Sequence, residues 1–444
     1  MVAPPVFAQG AAGPFGGSVV QGTLTVQALP LTLDDALARA LQHNLGLINT
    51  EQQVESARGA RVRALRDLLP RVEARVDETR QTRNLAAFGF DTSLFPGIPS
   101  VVGPFNIFDA RVYASQPVLD FAARSDMRSK AATLEAARLD DRNAHDIVTF
   151  VVTSLYYQAV AGESRVVSAS SQVATAEALL AQATALRNAG AAPGIDVVRA
   201  QVQLQAQRQR LITAENEAAK QKLQLVRAIG IPTGQVIELP DRVLELPAQA
   251  LTLDEALRTA AARRADFQAG QARVRAAEAA LASTRGSGLP SVRVSADYGT
   301  IGSSPADARR TYTMALGVRV PLFDQDRTGR QVENIATLRQ REAEVADLAQ
   351  RIEAEVRTAF LDLEAADQQR SLARERVSLA SQELALARTR FTAGVTSNLE
   401  VIQAQNEVAT ASDAEVAAGY AVNTARAALA RAIGGRASQV QGEP

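Results

Sequence analysis

The stretch RFTAGVTSNLEVIQAQ (Arg390–Gln405) interrupts a long run of helix-forming residues with Gly394, a Thr-Ser-Asn cluster and a new apolar run that opens at Leu399. A second stretch, LRNAGAAPGIDVVRAQ (Leu186–Gln201), aligns with it residue for residue, Gly190 on Gly394 and Asp196 on Glu400. Glycine enters the left-handed backbone region that a helix reversal needs, so both stretches read as tight turns joining antiparallel helices. A turn written twice points to a chain written twice.

Working outward from the turns, RAIG at Arg227–Gly230 returns at Arg431–Gly434, and Pro117 in QPVLD returns as Pro321 in VPLFD. These pairs, like the turn glycines, are displaced by 204 residues. Nearer the start, LTLDDALARAL (Leu31–Leu41) returns as LTLDEALRTAA (Leu251–Ala261) and Pro70 as Pro290, displaced by 220. The first half therefore carries sixteen extra residues between Pro70 and Pro117, within the Gly/Pro/Phe-rich run Leu85–Phe108.

Each half has the same order. A helix starts at Thr32 or Thr252, where the hydroxyl caps free amides and Asp34 or Asp254 favours the positive helix end. The pattern predicts that it runs on to Pro70 or Pro290 without a break. Alternation follows: Val72, Ala74 and Val76 on one face against Arg71, Glu73, Arg75 and Asp77, and Val292, Val294 and Ala296 against Arg293, Ser295 and Asp297. DARVYASQP and TYTMALGVRVP, the latter with Tyr312, Met314, Leu316, Val318 and Val320 on one side, complete two hairpins, at about 71–117 and 291–321. Helical spacing then takes over, as in Val345, Leu348, Ile352, Val356, Ala359 and Leu363, and no Pro interrupts residues 122–161 or 325–393. A rod of roughly 65 residues is about 100 Å long, which no ordinary globule contains. A return helix of half that length closes each repeat. The expected organisation is thus a leader at 1–30, a first repeat at 31–230, a linker at 231–250, a second repeat at 251–434 and a flexible tail at 435–444.

Composition narrows the function. The chain has 444 residues, no Cys, no Trp, two His and 4% aromatic residues, and its 48 basic and 48 acidic residues cancel. No global field gathers nucleic acid, no thiol chemistry is available, and relatives anchored through an acylated N-terminal Cys need a residue this chain lacks. His43 and His145 stand alone on helical segments and no glycine-rich phosphate loop is present, so the reading is a non-enzyme without cofactors. The leader MVAPPVFAQG ends in Val6-Phe7-Ala8, with small residues where an export signal is cleaved, here before Gln9. Nowhere do eighteen apolar residues follow one another, so a membrane crossing here uses strands.

Four strands of about ten residues, alternating apolar and polar, suit a tilted transmembrane sheet, and equally the edge of a soluble one. Open edges are not tolerated in lipid, so four strands need other copies to close; two copies give an interior filled by side chains, three give twelve strands around water. The order of helix, hairpin, long helix, glycine turn and return helix, written twice, with AGVTSNLEVIQAQ at the turn and LTLDEAL at the helix start, resembles the TolC-like outer-membrane efflux proteins. The resemblance spans about Leu31 to Gly434. It implies a mainly α fold with transmembrane β, in which a homotrimer forms a 12-stranded β-barrel in the outer membrane of a Gram-negative-type bacterium and continues as an α-helical barrel across the periplasm. Its partners would be outer-membrane lipid, a periplasmic adaptor protein and an inner-membrane pump of RND, ABC or MFS type, in tripartite efflux or type I secretion.

The resemblance also places residues. Gly190 and Gly394 would sit at the periplasmic tip, with Arg390, Phe391, Val395 and Thr396 in contact with the adaptor. Glu400 and Gln403 would line the pore constriction, giving one carboxylate ring per trimer, and Asp196 and Arg199 are their equivalents in the first repeat. Glu400 also favours the positive end of its helix without any ring. Phe88, Phe90, Phe121, Tyr298, Tyr312 and Phe323 would form the interfacial aromatic belt, and the loop 85–108 would face outside. The rival reading is a coiled-coil scaffold or adaptor that forms no channel, which shares the composition but does not explain the duplicated hairpins.

Overall fold

The computed structural model of the protein describes residues 15–89, 99–191, 193–240 and 251–435. The expected cleavage motif, Phe90, residues 241–250 of the linker and the tail from 436 lie outside the described residues. The first repeat runs β1 (Leu29–Pro30), α1 (Leu33–His43), α2 (Leu45–Arg66), β2 (Arg71–Asn84), β3 (Val101–Leu119), α3 (Phe121–Asn188) and α4 (Gly194–Ala228), followed by β4 (Ile237–Glu238). The second runs α5 (Leu253–Arg263), α6 (Ala265–Gly286), β5 (Ser291–Gly302), β6 (Arg309–Arg319), α7 (Gln325–Thr392) and α8 (Asn398–Ala432). The two long helices have 68 residues each and the two return helices 35 each.

Residues 54–137 and 270–344 form one compact unit, which holds the sheet; residues up to 53, 138–269 and from 345 onward form a second, which is helical. In the sheet the order is β2-β3-β5-β6, all antiparallel, so the second strand of the first repeat's hairpin pairs with the first strand of the second repeat's hairpin. β2 and β3 extend to 14 and 19 residues, and Val101–Phe108, expected as loop, is strand. The extra residues of the first repeat thus lengthen a two-stranded ribbon beyond the end of β5, where Phe108 pairs with Gly302.

Every long helix ends in the same way. Gly190, Gly230, Gly394 and Gly434 have φ between +71° and +75°. After α3, Ala191 N–H donates to Leu186 O at 2.9 Å and Gly190 N–H to Arg187 O at 2.9 Å; after α7, Val395 to Arg390 O and Gly394 to Phe391 O repeat the pair. This is the Schellman arrangement, which satisfies the orphan carbonyls of the last turn and needs a residue with no Cβ penalty at positive φ.

The first helix of each repeat is not continuous. Thr32 and Thr252 start α1 and α5 with capping boxes completed by Asp35 and Glu255, one residue beyond the acids singled out from the sequence. After eleven helical residues the backbone turns extended at Asn44 (ψ 128°) and Arg264 (ψ 117°). Asn44 is fully buried; its side chain accepts the Gly46 N–H at 2.9 Å and donates to Phe15 O at 2.8 Å, an alternative to the helix ladder that its short amide can reach. Arg264 does the equivalent with a longer side chain, through Asp266 Oδ1 at 3.0 Å and Glu355 of α7. Hydrophobic periodicity carries no sign of either break, because the polar residue at each is held by distant partners.

Residues 15–30, expected as a flexible leader, are ordered by the first repeat. Val19 N–H donates to His43 O at 2.8 Å and Gln21 N–H to Gly230 O at 2.9 Å, while β1 pairs in parallel with β4 of the linker. Gln235 of the linker binds Thr25 N–H through Oε1 (2.9 Å) and Gln27 O through Nε2 (2.8 Å). This strap crosses the α1–α2 break and the end of α4. Leu31, Leu37, Ala40, Val148, Val152, Tyr156, Leu225 and Ile229 make the core beneath it, with Tyr156 OH donating to Leu31 O at 3.1 Å.

Candidate functional site

The sheet has two chemically opposite faces, and register shows each to be continuous. Val72 pairs with Ala114, Ala114 with Ala296 and Ala296 with Met314; the next row is Ala74, Val112, Tyr298 and Tyr312. Val292, Val294, Leu316 and Val318 extend the same face toward the helices. Tyr312 and Met314 are 75% exposed and Val72 66%, so one chain buries nothing against this face. The opposite face carries Arg71, Glu73, Arg75 and Asp77 on β2, Asp109, Arg111 and Tyr113 on β3, and Arg293 and Asp297 on β5. Arg111 donates to Asp109 Oδ1 at 3.2 Å, to Thr311 at 3.0 Å and to Asp297. An exposed apolar band of this extent needs a non-aqueous neighbour. Among the described residues both outer strands, β2 and β6, keep one unpaired edge.

Of the expected aromatic belt, Tyr298 and Tyr312 are directly paired on the apolar face, one row before Thr300 and Arg310 end it. Phe323 (85% exposed) follows β6 at the helical end and Phe121 opens α3 there, so the described rings fall at both ends of the band. Phe88 lies in the outer connection at Ala86–Phe88 and is exposed.

The two turns meet in the helical unit. Ala183, Val197 and Ala200 of the first repeat pack with Ala387, Val401 and Ala404, their counterparts in the second, around the Phe391 ring. Small residues let the return helices α4 and α8 approach closely, and amides join them: Gln203 Nε2 donates to Asn406 Oδ1 at 3.0 Å and Gln207 Nε2 to the same oxygen at 3.4 Å. The buried positions Ala366, Ala373, Ala380 and Ala387 of α7, and Ala404, Ala411, Ala418 and Ala425 of α8, each recur at seven-residue spacing; Ala387 packs with Ala404 near the turn and Ala366 with Ala425 farther along. That 3.5-residue period is the close-packed coiled-coil seam that the apolar pattern alone does not single out.

The pore residues expected as equivalents are not equivalent here. Glu400 is half-exposed, 3.6 Å from Arg390, and Gln403 is exposed. Asp196 is buried, 4% exposed; Asn398 of the other turn donates to its backbone carbonyl at 2.7 Å, and Arg199 lies 3.6 Å from the carboxylate. The residue matching Asn398 in the first repeat is Gly194, which has no side chain. Phe391, expected at a partner contact, is instead 5% exposed within the tip core. Gly190, Gly394 and Val395 are exposed and Thr396 half-exposed, leaving the turns themselves accessible.

Against known proteins, residues 36–231 and 256–435 match the outer membrane efflux protein family. The chain belongs to the outer membrane efflux protein family. It is an outer-membrane protein of the TolC-like kind. It is 26% identical over 423 residues to the pyoverdine export outer membrane protein OpmQ of Pseudomonas putida, covering 91% of this chain and 86% of that one. Its fold is that of the outer membrane protein VceC of Vibrio cholerae, with a TM-score of 0.79 at 17% identity over 91% of this chain and 96% of that one. The open-state MtrE channel of Neisseria gonorrhoeae matches with a TM-score of 0.76 at 18% identity, covering 94% and 95% of the two chains. The two matched ranges coincide with the two repeats and leave out the linker between them.

Proposed function

We propose that three copies of this chain close a twelve-stranded barrel in the outer membrane and continue as a helical conduit through the periplasm, forming the passive channel of a tripartite export system. One observation carries the reading: a four-stranded sheet with an exposed apolar face, a charged opposite face and two unpaired edges. In lipid such edges must be paired, and pairing β6 of one copy with β2 of the next satisfies every strand. The helices support it. On α7, Leu372, Leu379 and Leu386 repeat every seven residues and are exposed, as are Ile195, Val198 and Val202 of α4, so each chain carries a second, unfilled seam on both hairpins.

Energy would come from an inner-membrane pump of RND, ABC or MFS type through a periplasmic adaptor that engages the turns at Gly190–Ala191 and Gly394–Thr396. Glu400, the accessible acid at the turns, would ring the constriction. The export named for OpmQ is the precedent for small-molecule cargo. A scaffold that forms no channel would leave the apolar sheet face without a use. The test is the mass of the detergent-solubilised assembly: three chains are expected, and a monomer that needs no detergent overturns the proposal.

A further inference from the structure

The charges on the polar sheet face do not balance evenly along its length. In the middle rows they cancel locally: Arg75 lies 4.0 Å from Glu73 and from Asp77, and Arg111 is held by Asp109 and Asp297. At the end next to the helices three arginines share this face, Arg71 on β2, Arg293 on β5 and Arg319 on β6. Among the described residues no carboxylate stands within ion-pair distance of any of them. From strand spacing and rise, their Cα positions lie about 8 Å (Arg293 to Arg319) and about 12 Å (Arg293 to Arg71) apart, so Arg293 can share a bound anion with either neighbour, while Arg71 and Arg319 stand about 20 Å apart. A cleft of about 320 Å³ opens beside Arg71 and Arg293, lined also by Arg66, Ser115 and Pro117, with Arg319 outside it. Three acids share the lining: Asp67 lies 3.5 Å from Arg66 and Asp126 3.9 Å from Lys130, while Asp120 accepts the Ala123 N–H at 2.9 Å and keeps its charge.

We propose that Arg71, Arg293 and Arg319 form an anion-selecting collar at the helix-proximal end of the sheet, which binds carboxylate- or phosphate-bearing solutes in transit. The inference rests on the channel reading, in which the polar face is the wall of the conduit and each copy contributes its three arginines to one ring. Guanidinium groups suit this role because they stay charged and present a planar donor fork to carboxylate and phosphate. A collar of fixed charge in a narrow wet passage raises the local concentration of counter-ions, as charged rings do in selective pores.

The experiment reconstitutes the full chain in planar bilayers and compares wild type with R71Q/R293Q/R319Q and with the charge-keeping R71K/R293K/R319K. In a KCl gradient at about 0.1 M, where the screening length is about 10 Å, the glutamine variant should lose at least about threefold in the chloride-to-potassium permeability ratio. The lysine variant should keep the wild-type ratio, and the difference should shrink at about 1 M salt, where screening falls to about 3 Å. Citrate added as a probe should slow the wild-type current and lose that effect in the glutamine variant. A conducting glutamine variant with an unchanged ratio and unchanged citrate response overturns the collar alone. Wild-type protein that passes no current overturns the channel reading itself, and the collar with it.

Discussion

Replacing Arg264 with Met removes the cation hydrogen-bonded across the α5–α6 break. Arg264 is 5% exposed and donates to Asp266 Oδ1 at 3.0 Å, to Glu355 of α7, and at 3.5 Å to Ala432 O, the last turn of α8. Truncating one partner of a buried ion pair costs about 3–5 kcal/mol because the other charge stays behind unpaired. The Glu355 side chain is 41% exposed and can rehydrate, so most of the loss falls on Asp266, 21% exposed, and about 2–3 kcal/mol is expected. The pH dependence follows from Asp266. Burial by itself would raise its pKa, but hydrogen bonds and charge from Arg264 outweigh this and hold it below the ordinary carboxylate value. A depressed folded-state pKa contributes stability that is present above the unfolded pKa, about 4, and lost as pH falls through the folded value. Denaturant unfolding followed by helical circular dichroism at pH 7 and at about pH 3 gives the answer. The gap between wild type and R264M should narrow at the acid pH, and adding D266N to R264M should recover part of the loss at pH 7. A gap below about 1 kcal/mol at pH 7, or one that is the same at both pH values, refutes the assignment.

The four helix-ending glycines share one backbone conformation but differ in surroundings, so alanine at each should separate strain from packing. At Gly190 and Gly394 a Cβ meets nothing within 4 Å, and only left-handed strain of about 1–2 kcal/mol is expected. At Gly230 a Cβ would stand 2.6 Å from Val19 O and at Gly434 3.0 Å from the Arg263 carbonyl carbon, adding about 1–3 kcal/mol of overpacking; equal losses at all four positions in unfolding experiments would contradict this. Glu400→Ala removes an exposed pair with Arg390 that adds less than about 1 kcal/mol, so the trimer should form normally. Block of its single-channel current by divalent or trivalent cations should weaken, and a block unchanged from wild type removes the carboxylate ring.

Much of this architecture is legible in the sequence because it is written twice. The offsets between Gly190 and Gly394 and between Pro70 and Pro290 place turns and hairpins without reference to any coordinate, and strict alternation in Val72–Asp77 and Val292–Asp297 identifies both sheet faces. The seven-residue alanine sets Ala366 to Ala387 and Ala404 to Ala425 stand in the sequence too, but the spacing of the larger apolar residues does not draw attention to them. What the repeats hide is their asymmetry. Asn44 and Arg264 break matching helices by different means, since the first is met by the Phe15 strap and the second by Asp266 and Glu355. Asp196 and Glu400 align, yet the first is buried with its backbone carbonyl bonded by Asn398, and the second is half-exposed opposite Arg390; the position matching Asn398 in the first repeat is Gly194. Phe391 sits beside the exposed turn in sequence but turns inward, a choice made by the alanines that leave room for its ring. Each of these depends on contacts between residues far apart in the chain, which periodicity does not record.

The central claim is that this chain encloses water across a membrane, and electrical recording tests it most directly. Purified protein added to a planar bilayer should produce discrete, long-lived current steps, each from one assembled trimer. Protein that associates with the bilayer as trimers yet leaves its conductance at the bare-lipid level, with Glu400 intact or replaced, would contradict the account.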